Sequence, residues 1–487
     1  MATIVARIGH AISQFACMPH SHRTFNQINY CLMNPIQYSI PHITLSRLLI
    51  ALKSNFKSTI CLDSGDGFGE NSHYRITSAE PFIEFEVPAN SQEAGDRLPE
   101  FCADLEAIVQ AHRICSPGEL PFVGGIVGYL AYDALNTQHK VKCKQPPADA
   151  IIKLGIYSWA VIENLSNGEC YLIFHPACPT SLQQRVTNLL AELTTAENDD
   201  IHLPRFELVT PFSLSTSKES YLQAIASIQT YIQNGDCYQV NYSQQLQSRY
   251  IGDPLTAFLA LRHHTNAPFS AYLNCGSHDI LSFSPERFLL CEDSGLIETK
   301  PIKGTRPRGT TSQEDSDFKL ELASSLKDRA ENLMIVDLLR NDLGKFCETG
   351  SVSVPKLFEI ETFSNVHHLV STVSGKLSDQ HTPLELLFGA FPGGSITGAP
   401  KKRAMEIINE LEPHSRGPYC GSIFYYSFNG RMDSNIAIRT LLFKEGSAYC
   451  WGGGGIVADS DPESEYAESI IKIRNLISLL ENQFLKN

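Results

Sequence analysis

The chain lacks most of the features that would place it outside a reducing cell interior. None of its 14 cysteines forms a C-x-x-C pair, and Cys17, Cys31, Cys61, Cys102, Cys115 and Cys143 follow no metal-ligand rhythm. Reduced, buried thiols in a cytoplasmic protein fit better than a disulfide framework or a zinc site. No apolar run approaches the roughly 20 residues that span a bilayer. Positive charge is also short: 39 Lys and Arg face 53 Asp and Glu, a net charge of −14. That field repels nucleic acid and anionic membrane, so neither is an expected partner. An anionic substrate must be met by local cations or a metal. Acid is missing from the first 62 residues, Asp63 being the first. An organelle transit peptide has that bias. An upstream start codon, with Met18 or Met33 as the true start, explains it more simply, and residues 1–40 are read as such an extension, without order.

The rest is ordinary globular composition, 43% hydrophobic over 487 residues. Residues 41–200 alternate apolar strands with polar breaks, as in Phe82–Val87 and Ile151–Ile162, and Leu182–Glu197 has helical spacing. They form a first domain. Residues 201–216 are polar and Pro-containing and read as a linker. The second domain, 217–487, opens with a helix predicted over Ser217–Asn234. Tyr425-Tyr426-Ser427-Phe428 before Asn429-Gly430 signals a hairpin. Strand-like runs often follow one another directly, so the fold is predicted as α/β or α+β, a sandwich of large, mainly antiparallel sheets flanked by helices.

Three segments of the second domain carry chemistry. Lys327–Asp342 has apolar residues at 326, 330, 333, 334 and 338 with a dense charged complement, either a solvated face or a working one. Phe391–Pro400 feeds glycines into a helix from Lys401 to Leu411, with Pro400 in its first turn; the free N–H groups there suit an anion, although the P-loop spacing is absent. Trp451-Gly452-Gly453-Gly454-Gly455 precedes a helix capped by Ser460 and Glu463, with Tyr466, Ile470, Ile473, Ile477 and Leu480 as its buried stripe. Glu465, Glu468 and Lys472 share another face. First-turn glutamates commonly serve the helix dipole. Four glycines, however, cost backbone entropy that only a close approach explains, and carboxylates beside them suit Mg²⁺.

Taken together these segments resemble the chorismate-utilising enzymes. The likeness runs through Gly235–Asn241, Ser284-Pro285-Glu286-Arg287-Phe288, Pro301-Ile302-Lys303-Gly304-Thr305, Asp328–Asp342, Val366–Ser371, Gly393–Pro400, Gly453–Asp459 and Glu465–Glu468. Pro121–Gly125 and Leu62–Gly65 extend it into the first domain, where relatives hold tryptophan near the second of these. The third residue of Pro-Ile-x-Gly-Thr separates the branches. Anthranilate synthases show alanine; Lys303 resembles the aminodeoxychorismate synthases, which aminate C4 of chorismate on the way to 4-aminobenzoate and folate. Nitrogen at C4 with retention implies two displacements, Lys303 attacking C2 and ammonia then attacking C4. The other role open to Lys303 is that of a cation pairing with a substrate carboxylate.

The resemblance also implies the remaining roles. Glu286 is the general acid, aided by Ser395, and His368 positions or polarises the ring. Glu331 and Glu468 ligate Mg²⁺, with Glu465 direct or through water. Tyr425, Arg439 and the backbone of Gly453 and Gly455 grip the enolpyruvyl carboxylate, Lys472 adds charge, and Thr305 belongs to the substrate-binding set. Relatives often show Gly-Tyr where this chain has Phe424-Tyr425. No Gly-x-Cys-x-Gly elbow with a downstream His-x-Glu is present. Ammonia is therefore expected from a separate glutamine amidotransferase subunit. The alternatives are an anthranilate synthase component I and a chorismate-binding paralogue without activity.

Overall fold

The computed structural model describes residues 33–65, 73–89, 98–115, 120–135, 148–195, 202–363 and 366–486. Among them, thirteen strands form one sheet and ten a second, and every ladder is antiparallel. One apolar cluster takes side chains from both sheets, Ile60, Ala271 and Ile280 from the larger and Ile126, Leu154 and Leu289 from the other. That makes the sandwich, with helices on its outer faces.

The two parts of the chain share both sheets. In the larger, Ile60–Asp63 pairs with Phe269–Asn274; in the other, Gly125–Leu130 pairs with Ser422–Ser427. Joining in this way closes strand edges that each part alone would leave open. The segment read as a linker also enters the sheet: Phe206–Leu208 and Ser213–Leu214 both pair with Gln239–Gly252. Its polar composition marks an edge rather than a tether. Likewise Ile36–Ile40, assigned to the N-terminal extension, is a strand on Cys170–Phe174. Both starts proposed from the sequence precede it; residues 1–32 fall outside the described residues.

Local signals located most elements well. The helix Lys218–Gln233 begins after Ser217, whose hydroxyl caps Ser220 N–H, as the spacing predicts. The helix Thr180–Thr195 and the hairpin of Ser422–Ser427 with Met432–Asn435 also stand where expected. All eleven described cysteines are free, and no helix of the described residues is long and apolar enough to cross a membrane.

Two core histidines give the fold a pH dependence. His175 pairs with the His112 carbonyl through Nε2 and accepts Ala177 N–H at Nδ1, while His278 Nε2 meets Tyr129 Oη at 3.0 Å. Burial pushes both down to about 4. An unfolded histidine titrates near 6.5, so below that pH the unfolded chain takes up protons the folded one refuses. Stability is then full above pH 6.5 and lost as pH falls towards 4, on the order of 3 kcal/mol per histidine. Thermal melts between pH 7 and 4.5 should show this decline. A melting temperature that stays level across that range would contradict it.

Candidate active site

The site is built around a bulge. Ile302–Pro307 pairs with Val366–Lys376, but Ile302 faces Val370 and Thr305 faces His368, so the first strand holds one extra residue. That extra length is Lys303-Gly304, with Gly304 at φ 83°. A Cβ at Gly304 would lie 2.8 Å from Leu322 and 2.9 Å from Asp328. Glycine is required there on both counts. Bulges re-aim side chains beside active sites, and this one sets Lys303 among Glu331, Lys472, Glu286 and Glu468. Burial lowers the pKa of its ammonium, Lys472 pushes the same way, and the three carboxylates oppose them.

Glu286 is buried, its side chain hydrogen-bonded by Ser395 and by the backbone of Ile302. Burial raises its carboxyl to about 7, against the pull of Ser395, Lys303 and Lys472. A carboxyl of this kind is half protonated at neutral pH, which suits a general acid. Ser395 sits in the short turn Gly394–Ile396. The helix Lys401–Leu411 has the expected bounds, with Pro400 as its cap rather than in its first turn. Lys401 Nζ reaches back to Asp342 and to the Ala390 carbonyl, both at 2.7 Å.

His368 is buried, its Nδ1 2.8 Å from Thr305 Oγ1, with a further hydrogen bond to the Gly304 backbone. Burial and the Arg439 charge hold it neutral, at about 3. Thr305 thus anchors His368, and the pair steadies the bulge. Arg439 sits in the left-handed region at φ 52° and, among the described residues, its guanidinium has neither an ion-pair nor a hydrogen-bond partner. An arginine held in a strained backbone conformation, with its charge felt by His368, is prepared for a carboxylate from outside.

The acidic residues come from two helices. In Leu326–Gly344 the buried face is Asn332, Ile335, Val336, Leu339 and Leu343, whereas the expected stripe leaves Leu326 and Leu333 exposed. The helix is charged on nearly every side, so periodicity could not fix its phase. Contact with Val366–Lys376 decides it, through Asn332, which accepts from Ser371 and donates to the Pro301 carbonyl. That phase turns Glu331 towards Lys303. In Pro462–Phe484 the cap is Asp461, not Ser460. Ser460 instead donates to Glu465 Oε1 at 2.7 Å. The buried stripe is Glu465, Ser469, Ile473, Leu476 and Leu480, because Gly452 lies so near that its Cβ would fall 2.0 Å from the Ser469 carbonyl.

The four glycines now have separate reasons. A Cβ at Gly453 would press on the Tyr242 backbone, and one at Gly455 on Gln239. At Gly454 it would lie 3.2 Å from Glu465, 3.6 Å from Lys472 and 3.9 Å from Glu468. Gly454 therefore opens space in front of the acids. Gly454→Ala should keep the melting temperature and lose about tenfold in kcat/KM, roughly 1.4 kcal/mol of transition-state binding. Kinetics and a melt on the same sample check this; unchanged kinetics would deny that the space is used.

The acids repel one another. Burial raises Glu331 and Glu465, and each rises further beside a neighbouring glutamate. Lys327 stands 4.0 Å from Glu331 and 3.9 Å from Glu465, and Lys472 is 2.7 Å from Glu468. Among the described residues no three His, Cys, Asp or Glu side chains already converge as a metal site. The donor set nevertheless fits a hard cation: the Glu465 charge raises Glu331 and the Glu468 charge raises Glu465, and Lys303, Lys327 and Lys472 offset them.

Tyr425 does not join this cluster. It lines a separate cavity of about 700 Å³ with Leu62, Asp63, Ser64 and Tyr74, its hydroxyl 3.2 Å from Arg431 Nε and its ring against Phe122. The strand Ser422–Ser427 lies in the second sheet beside Gly125–Leu130, which commits that face to the first domain. Gln239 is the residue that motif reading passed over. Its side chain is fully buried against Gly455 and, among the described residues, both amide atoms lack a hydrogen-bond partner. Nothing in a strand pattern marks such a group; only an inventory of hydrogen bonds finds it.

A lysine on a bulge, a carboxyl raised to about 7 and an arginine without a partner among the described residues suit an enzyme that works on an anionic substrate. The sequence signature described as "chorismate binding enzyme" covers residues 57–478. The aminodeoxychorismate synthase component 1 of Escherichia coli (strain K12) is 45% identical over 366 residues, 74% of this chain and 78% of that one. That of Salmonella typhimurium is 44% identical over 435 residues, 86% and 92%. The solved anthranilate synthase component I of Streptococcus pneumoniae superposes with a TM-score of 0.72 at 28% identity, over 83% of this chain and 92% of that one. This chain belongs to the chorismate-binding enzyme family.

Proposed function

We propose that the chain is an aminodeoxychorismate synthase component, converting chorismate and ammonia to 4-amino-4-deoxychorismate, a precursor of 4-aminobenzoate in folate synthesis. The observation that carries this is Lys303, set on its bulge between Glu286 and Glu331. Unprotonated Lys303 attacks C2 as the C4 hydroxyl leaves, and Glu286 supplies the proton that turns it into water. Ammonia then attacks C4 as the C2–nitrogen bond breaks, its electron pair returning Lys303 to the unprotonated amine; the new C4 ammonium sheds a proton that restores Glu286. Arg439 pairs with the enolpyruvyl carboxylate, and His368, held neutral, hydrogen-bonds without adding charge. Glu331 and Glu468, with Glu465, would hold Mg²⁺, which when bound supplies positive charge for the ring carboxylate.

The relatives' printed names, component 1, carry the reading that a second component exists. The finer reading is a glutamine amidotransferase that supplies ammonia. The test is product analysis with chorismate, Mg²⁺ and an ammonium salt, with and without a lyase specific for the 4-amino product. 4-Aminobenzoate should appear only with the lyase. Anthranilate and pyruvate from the enzyme alone would instead establish C2 amination.

A further inference from the structure

One buried ion pair lies behind the site and touches none of the groups assigned above. Arg416 is fully buried and grips Glu412 through two bonds, Nε–Oε2 at 3.0 Å and Nη2–Oε1 at 2.7 Å. Two further donors go to the main chain: Nη1 to the Ile396 carbonyl and Nη2 to the Asn241 carbonyl, both at 2.8 Å. Glu412 Oε1 also accepts Ser243 N–H and Ser243 Oγ–H at 2.8 Å. The ring of Tyr132, from the first domain, covers the guanidinium at 4.5 Å, and Asp133 accepts the next backbone N–H, that of Gly417, at 2.9 Å.

These partners are not scattered. Ile396 follows Ser395, whose hydroxyl bonds the Glu286 carboxyl. Asn241 and Ser243 lie opposite Gly455 and Gly453 in the strand pairing. The pair therefore fastens, from one point, the turn that aims the proton donor's partner and the strand that backs the glycine loop. Burying two charges costs several kcal/mol each, and a well-packed apolar pair would often serve stability as well. A lysine could not reproduce the contacts, since it lacks a planar fork with five donors.

We propose that Arg416, held by Glu412, is a positioning residue for catalysis, setting the Ser395 hydroxyl on Glu286. This rests on the reading of Glu286 as general acid. The groups facing Glu286 that bear on its titration are Ser395, Lys303, Lys472 and the Ile302 backbone. Losing the Ser395 bond raises the Glu286 pKa, because that bond favours its ionised form.

The experiment is a double-mutant cycle on the full chain, with ammonium salt as nitrogen source. Arg416→Lys should lower kcat by about 10²-fold, the scale of a 1 Å misplacement, with KM within about threefold. Its alkaline limb in the pH–rate profile should move up, as in Ser395→Ala, and the double variant should be no worse than the poorer single. Additive losses, or a normal pH profile in a merely less stable protein, would overturn the proposal. If Arg416→Lys does not fold, Arg416→Met with Glu412→Leu removes both charges and enters the same cycle. Glu286→Gln is the reference: full activity there would overturn the general-acid reading itself, whatever the cycle gives.

Discussion

Lys303→Ala is expected to abolish formation of the 4-amino product, with kcat/KM down by on the order of 10³-fold or more, about 4 kcal/mol. The loss follows from what the side chain does rather than from stability. Lys303 is half-buried on a bulge whose shape depends on Gly304, and alanine fits that backbone without strain. The protein should fold, bind chorismate, and leave C2 free to ammonia, so a trace of anthranilate is the product to look for. Mass spectrometry of acid-quenched parent enzyme should show an adduct of chorismate less water on the peptide containing Lys303. Wild-type rates of 4-amination in the alanine variant would refute the covalent step. Charge alone would be the surviving role if Lys303→Arg were active.

Glu286→Gln should cost about 10²- to 10⁴-fold in kcat, the usual worth of a positioned proton donor. Glutamine keeps the volume and still accepts from Ser395, so chorismate affinity should hold. The pH dependence has a definite sign. Glu286 donates a proton, burial raises it to about 7, and the rate should fall as pH rises through that value. Lys303 must be unprotonated, which favours higher pH, so the profile is bell-shaped with Glu286 on its alkaline side. In Glu286→Gln that limb should vanish. A variant that keeps both the limb and the rate would assign the proton to another group.

The family and the reaction were legible from short motifs because their chemistry is local. Pro-Ile-Lys-Gly-Thr carries the proposed nucleophile, its glycine and the hydroxyl that anchors His368 within five residues. Helix starts were also legible where a Ser, Thr or Asp side chain closes on a backbone N–H a few residues away, as at Ser217. The failures have a common cause. The phase of Leu326–Gly344 was misread, and the stripe of Pro462–Phe484 was right at Ile473 and Leu480 but missed Glu465, Ser469 and Leu476, because both helices carry apolar residues on more than one face. Which face is buried depends on a neighbour far away in sequence, a strand at 366–376 in one case and a glycine run at 451–455 in the other. Tyr425 was assigned to the substrate by the family resemblance alone, yet strand pairing turns it to the cavity shared with the first domain.

The sequence by itself therefore determined the antiparallel sandwich and the family, and offered the lysine on which the proposed C4 amination rests and the carboxylates proposed for a cation. Those facts rest on residue identity and on contacts between near neighbours in the chain. Only the tertiary structure decided that the two parts share both sheets, that Lys303 sits on a bulge, that Glu286 is buried enough to hold a proton near neutral pH, and that Gln239 and Arg439 lack partners among the described residues. Each depends on desolvation and on hydrogen bonds between strands and helices far apart in sequence, and no local pattern encodes what will be buried against what.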